Sequence, residues 1–232
     1  MNYEQTNQYA QASDSQVSAV MKRVYLVMTL GLAITGVLSW FCGTSRGYLM
    51  FLAENHWMLW AFIIAQFAIV IGIGAGINKL STPVATLLFL LYSVVMGLWM
   101  APLFATYSPT VIAKTFFITA GTFGAMSIYG FCTNRDLSRI GSFLMMALFG
   151  LIICMLVNIF VQSSGFDWLI SILGVLIFIG LTAWDTQQMK LIADQAPAHM
   201  AMRYAVLGAL NLYLDFINLF LFLLRIFGGN RD

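Results

Sequence analysis

Charged residues make up only 9% of the 232 residues, against roughly a quarter in an ordinary soluble domain. Hydrophobic residues make up 61%, and the mean hydropathy is +0.88. A water-soluble fold could not cover its own surface with so few polar groups. Cysteine is sparse too: Cys42, Cys132 and Cys154 lie far apart with no Cys-x-x-Cys pair. An odd number in or near apolar segments reads as small packing residues rather than disulfides or metal ligands. The two histidines, His56 and His199, are expected in loops without a neighbouring ligand set, so a zinc centre has no support. A net charge of +2 spread over loops argues against a nucleic-acid-binding face or a polybasic tail. The first 20 residues are polar and rich in Gln and Ser. They lack the basic-then-apolar layout of a cleaved signal peptide, so the first apolar run is expected to be a retained helix.

What the chain does have is long apolar runs. A spanning helix needs about 20 mainly apolar residues to cross roughly 30 Å of hydrocarbon. Read against the punctuation of charges, Gly, Pro and Asn, the sequence predicts helices at Val24–Phe41, Trp57–Ile77, Pro83–Phe104, Val111–Phe131, Ile140–Val161, Trp168–Gln188 and Tyr204–Leu224. The runs are too long and continuous for barrel strands, and lipid demands that backbone groups be satisfied within the segment. The expectation is an all-α membrane protein: a polar N-terminal tail over residues 1–20, then a single seven-helix domain over 21–232.

Seven spans place the N-terminal segment and the loops after helices 2, 4 and 6 on one side. That side collects Lys22, Arg23, Lys79, Arg135, Arg139, Lys190 and Arg203, whereas Arg46, Lys114, Arg225 and Arg231 fall on the other. By the positive-inside rule the N-terminus is expected to be cytoplasmic and the C-terminus external. Trp40, Trp57, Trp60 and Trp168 fall near helix ends, where indoles favour the headgroup boundary. Small residues within the runs, such as Gly72, Gly74 and Gly76 of helix 2 and Ala120, Gly121, Gly124 and Ala125 of helix 4, read as sites of close helix packing. Gln66 and Asn158, deep within helices 2 and 5, read as interhelical hydrogen-bonding groups.

Two acids break the apolar pattern. Asp185 lies toward the cytoplasmic end of helix 6, and Asp215 some eleven residues into helix 7. An acid near the bilayer centre costs roughly 2.5–3.5 kcal/mol on insertion scales, so it faces the protein interior and has a partner. Asn211, Asp215 and Asn218 share one face of helix 7, and Thr182, Asp185 and Gln188 repeat that arrangement on helix 6. Helices joined by a short loop tend to be neighbours, so the two stripes can meet on the cytoplasmic half of the bundle. Lys79, at the cytoplasmic end of helix 2, is the nearest cationic partner. Two carboxyl groups at close range share a proton, which makes such a pair a pH sensor able to bias one helix arrangement over another. Hard oxygen ligands also suit calcium, so Asp185 and Asp215 could bind that ion transiently. The simpler alternative is a buried interhelical hydrogen bond for Asp215 and, for Asp185, an interfacial acid that reaches headgroup water.

Enzymatic roles are not expected. An intramembrane aspartyl protease needs Gly-x-Gly-Asp at its second aspartate, whereas Leu-Tyr-Leu precedes Asp215. A retinal Schiff base needs a lysine, and helix 7 has none. The glycines of helix 2 follow no strand, which removes a phosphate-loop reading.

The segments LYLDFINLFLFLLRIFG at 212–228, AWDTQQMK at 183–190 and TAGTFGAMSIYGFCTNRDLSRIG at 119–141, with INKLS and MGLWMAP, closely resemble the Bax inhibitor-1 family in its bacterial inner-membrane branch. The resemblance runs from about residue 20 to the end, and LYLDFINLF is its most specific part. It implies seven helices with the seventh central, and a pH-sensitive calcium leak gated by paired aspartates that match Asp185 and Asp215. A basic residue at the end of helix 2, often arginine in the family, falls on Lys79, which keeps the charge and loses the bidentate fork. Some relatives carry an acid within helix 2, where this chain offers only Gln66, so no calcium-ligand role carries over to that helix. The implied partners are the lipid bilayer, calcium ions and protons. A second implication is a non-conducting regulator that binds an FtsH-type membrane protease or a stress factor.

Overall fold

The structure, a computed structural model, describes residues 3–229, with side chains from Ser15 onward. Among the described residues the elements are helices and there is no strand: α1 (Tyr3–Thr44), α2 (Arg46–Glu54), α3 (Trp57–Gly76), α4 (Thr82–Met100), α5 (Leu103–Thr106), α6 (Pro109–Cys132), α7 (Ser138–Val161), α8 (Ser164–Gln195) and α9 (Ala198–Gly228). Seven segments are long and apolar enough to cross a membrane, as the hydropathy predicts.

The helix ends follow local chemistry. Ser108 caps α6 by accepting from the Val111 N–H, with Pro109 in the first turn, where a missing N–H costs nothing. α7 ends on Gln162 in the left-handed region, φ 50°, and Asn158 Oδ1 accepts from the Ser163 N–H just beyond. Ala196 and Pro197 separate α8 from α9.

Several boundaries differ from the sequence expectation. α1 is helical well before Val24, and Val17, Val20 and Met21 are buried. α8 and α9 each run several residues beyond the expected ends, because a charge near the membrane edge ends an apolar run without ending a helix. α2 lies where a loop was expected. Its Tyr48 hydroxyl donates to the Leu98 carbonyl at 2.9 Å. Burial, with Cys42 adding to it, pushes that phenol up to about 12 and keeps it a donor. Pro102 separates α4 from the single turn of α5. His199 sits in the first turn of α9 rather than in a loop.

The chain divides into two units. The first comprises residues 1–106 and 189–211, and the second comprises 107–188 and 212–232; α8 and α9 contribute to both. In the first unit α1 packs along α4 through a ladder in constant register. A side chain at Gly31 would press on Phe89. The Thr35 hydroxyl donates to the Ser93 carbonyl and the Ser39 hydroxyl to the Gly97 carbonyl, each at 2.9 Å. A side chain at Gly43 would meet the Ala101 carbonyl. The rungs recur every four residues on both helices, and each pair is 58 residues apart in the two hydrogen-bonded rungs. Small residues let the backbones approach and hydroxyls bridge them, which is how helices associate where lipid supplies no hydrophobic drive.

In the same unit, Gln16 Nε2 donates to the Ala193 and Ala196 carbonyls at 2.8 and 2.9 Å. Arg203 and Tyr204 bond the Asn78 carbonyl and side chain, each at 3.1 Å.

In the second unit, α6 meets α9 through Phe116 and Phe123 against the edge of Phe216, with centroids 5.6 and 5.5 Å apart. Phe178 of α8 stacks on Phe222 of α9 at 5.9 Å. α9 is the most buried span: 72% of its apolar window lies inside the protein, against 6% for α3 and for α7.

Most of the glycines that the sequence singles out do not close the packing, Gly76 against Leu80 being the exception. Added side chains at Gly72, Gly74, Gly121 and Gly124 would meet nothing within 4 Å, whereas Gly31, Gly97, Gly130 and Gly174 are tightly enclosed.

Candidate functional site

The second unit places Asp185 and Asp215 side by side. Asp185 is half-buried on α8 and Asp215 is 4% exposed on α9. Both ride on regular helix, and the stack of Phe178 on Phe222 packs α8 against α9. The two carboxyl groups lie close enough to interact directly. Two carboxylates have only acceptors, so a bond between them exists when one proton is retained by the pair. Asp215 Oδ2 is buried and has no hydrogen-bond partner among the described residues. The pair can therefore exist as a proton-bridged contact or as two anions that repel.

The surrounding polar residues divide. Thr182 and Thr186 are fully buried, and their hydroxyls return to their own helix, to the Phe178 and Thr182 carbonyls. Asn218 likewise donates to the Leu214 carbonyl at 2.8 Å. Gln188, grouped with Asp185 by spacing, reaches Ser138 Oγ at 3.5 Å, the far limit of a hydrogen bond. Asn211 is half-buried one turn before Asp215 on α9 and belongs to the first unit, as does Lys79, which lies exposed in the turn after α3. Among the described residues no three His, Cys, Asp or Glu side chains are grouped to hold a metal ion. All three cysteines are free.

A neighbouring residue escaped the sequence reading. Gln187 is 7% exposed. Its Oε1 accepts from the Leu137 N–H at 2.9 Å, and its Nε2 donates to the Arg135 carbonyl at 2.8 Å. One amide thus pins the α6–α7 loop two residues from Asp185. In that loop Asp136 accepts from the Ser138 N–H at 2.9 Å. The hydrogen bonds from Ser138 hold this exposed carboxyl below the usual carboxylate range, assisted by Arg139.

Gln187→Leu is expected to leave the Leu137 N–H and the Arg135 carbonyl unpaired, costing roughly 1–3 kcal/mol. Amide hydrogen exchange should then accelerate across residues 133–138. Unaltered exchange there would show that the glutamine does not hold the loop.

Also in this unit, the α6 backbone at Gly130 lies against Ala183 of α8, two residues before Asp185, and the Trp184 ring covers Gly141 of α7. The turn carrying Asp185 is thus clamped by close backbone approach on one side and an indole on the other.

A protein-family model described as "Inhibitor of apoptosis-promoting Bax1" matches residues 17–232. The chain is 47% identical over 214 residues to "Inner membrane protein YbhL" of Escherichia coli (strain K12), covering 91% of this chain and 92% of that relative. It is 44% identical over 216 residues to an uncharacterized protein of Borreliella burgdorferi, covering 91% and 92%. With an uncharacterized protein of Deinococcus radiodurans the identity is 42% over 218 residues, covering 94% and 93%. With seven membrane-crossing helices and a family match over nearly its whole length, this chain belongs to the Bax inhibitor-1 family and is a multi-pass membrane protein like its Escherichia coli inner-membrane relative.

Proposed function

We propose that the chain is a pH-sensitive calcium leak channel of the inner membrane, with Asp185 and Asp215 as its proton sensor. The observation that carries the reading is the carboxyl–carboxyl contact between two membrane-spanning helices, one partner of which is buried. With one proton retained, the contact ties α8 to α9. With that proton lost, two like charges in a water-poor interior repel, and the same oxygens become hard ligands for a passing divalent cation. Calcium is then cargo, held transiently by the pair. The distribution of basic residues supports an N-terminus in the cytoplasm and an external C-terminus.

The test is efflux from liposomes loaded with calcium and an indicator dye, with the purified protein reconstituted. Efflux above that of protein-free vesicles, rising as pH is raised, is expected. Efflux equal to that of empty vesicles at every pH would overturn the proposal. If a membrane protease then co-purified from native membranes, the chain would be a non-conducting regulator instead.

A further inference from the structure

On the lipid-facing side of the second unit, α7 presents Ile152, Met155, Leu156 and Ile159 along a groove of about 370 Å³. Asn158, Asp167 and Arg225 complete its lining. Residues 152 to 159 span roughly 10 Å of helix, enough wall for several methylenes of an acyl chain. Ile152, Leu156 and Ile159 are 44, 55 and 62% exposed, so the groove is open along its side.

The polar part of the lining is a pair of opposite charges. Arg225 Nη1 lies 3.2 Å from Asp167 Oδ1, with the two side chains 36 and 42% exposed. The guanidinium also sits over the Phe222 ring, 5.5 Å from its centroid, which fixes its position. Its fork carries five N–H donors, and the Asp167 bond uses one nitrogen. Trp168, beside Asp167 and 57% exposed, marks this level as the headgroup boundary. The site therefore presents cation and anion side by side where an apolar groove meets the headgroups.

We propose that this groove binds a zwitterionic phospholipid with a primary ammonium, phosphatidylethanolamine. Its phosphate accepts from Arg225, its ammonium donates to Asp167, and an acyl chain lies along Ile152–Ile159. Charge complementarity selects this occupant. Phosphatidylglycerol has no cation to offer Asp167, and the trimethylated ammonium of phosphatidylcholine has no N–H to donate. Charge-assisted hydrogen bonds at both ends give a headgroup preference that neither competitor matches.

The test uses purified protein equilibrated with vesicles of equal parts phosphatidylethanolamine, phosphatidylcholine and phosphatidylglycerol, followed by native mass spectrometry of retained lipid. Roughly ten-fold enrichment of phosphatidylethanolamine is expected, from one charge-assisted bond. Asp167→Asn should reduce that enrichment to near unity, and Arg225→Gln should lower retention of all three lipids. Ile159→Trp fills the groove from a side chain that already faces outward, so it should lose bound lipid while keeping the wild-type melting temperature. Equal retention of the three headgroups by the wild type, or enrichment unchanged in both Asp167→Asn and Ile159→Trp, would overturn the assignment.

Discussion

Asp215→Asn should abolish the pH dependence of calcium efflux while leaving a folded protein. Asparagine has the shape of the protonated acid and can donate to Asp185 at any pH, so the tie between α8 and α9 persists without a shared proton. What disappears is the second negative charge. Two unit charges about 4 Å apart repel by roughly 4 kcal/mol at an effective dielectric constant of 20. Against 1.4 kcal/mol per factor of ten, that biases the separated arrangement by about a thousand-fold. The wild type therefore has a steep response and the variant a nearly flat one, with efflux at the low, proton-bridged level throughout. Asp185→Asn should behave the same way, since either charge alone removes the repulsion. Both variants should melt within a few degrees of the wild type. Wild-type pH dependence retained in Asp215→Asn would remove the pair from any sensing role.

The largest structural effect is expected at Gly130. A Cβ there would lie 2.9 and 3.0 Å from the carbonyl carbon and Cα of Ala183. These are backbone atoms of a regular helix and cannot rotate aside, so Gly130→Val must push α6 from α8 at the turn that carries Asp185. Overpacking of a well-filled interface costs about 1–3 kcal/mol, and a clash of backbone on backbone belongs at the upper end. That corresponds to a fall in melting temperature of roughly 6–12 °C for a chain of this length. Gly124→Val, on the same helix, is the control: an added side chain there meets nothing within 4 Å, so little change is expected. Equal melting of the two variants would show that the approach of α6 to α8 contributes nothing special.

The contrast between Gly124 and Gly130 shows where sequence reading stops. Hydropathy marks spans because each must be apolar along its whole length, so seven helices are legible from composition and punctuation. An acid within such a run is equally legible, since its cost demands a protein partner, and Asp185 and Asp215 stand out on that ground alone. Which way a helix is turned is not legible, because a helix facing lipid on one side and protein on the other is apolar on both. Gly124 and Gly130 look alike in the sequence, and so do Gln187 and Gln188. Only packing distinguishes the glutamine that pins a loop from the one that barely reaches Ser138. The Asp167–Arg225 pair was invisible for another reason: its members are 58 residues apart and each reads alone as an ordinary interfacial charge.

The ladder between α1 and α4 also sets a schedule for biosynthesis. Its two hydroxyl rungs join residues 58 positions apart, and at about 5–20 residues per second the ribosome needs roughly 3–12 s to supply the second half. Until then Thr35 and Ser39 have no carbonyls of α4 to bond, and a serine or threonine within a helix can instead bond the carbonyl one turn back. The bonds to the Ser93 and Gly97 carbonyls form only after the later helix arrives, so this helix pair of the first unit is completed only once α4 has been made.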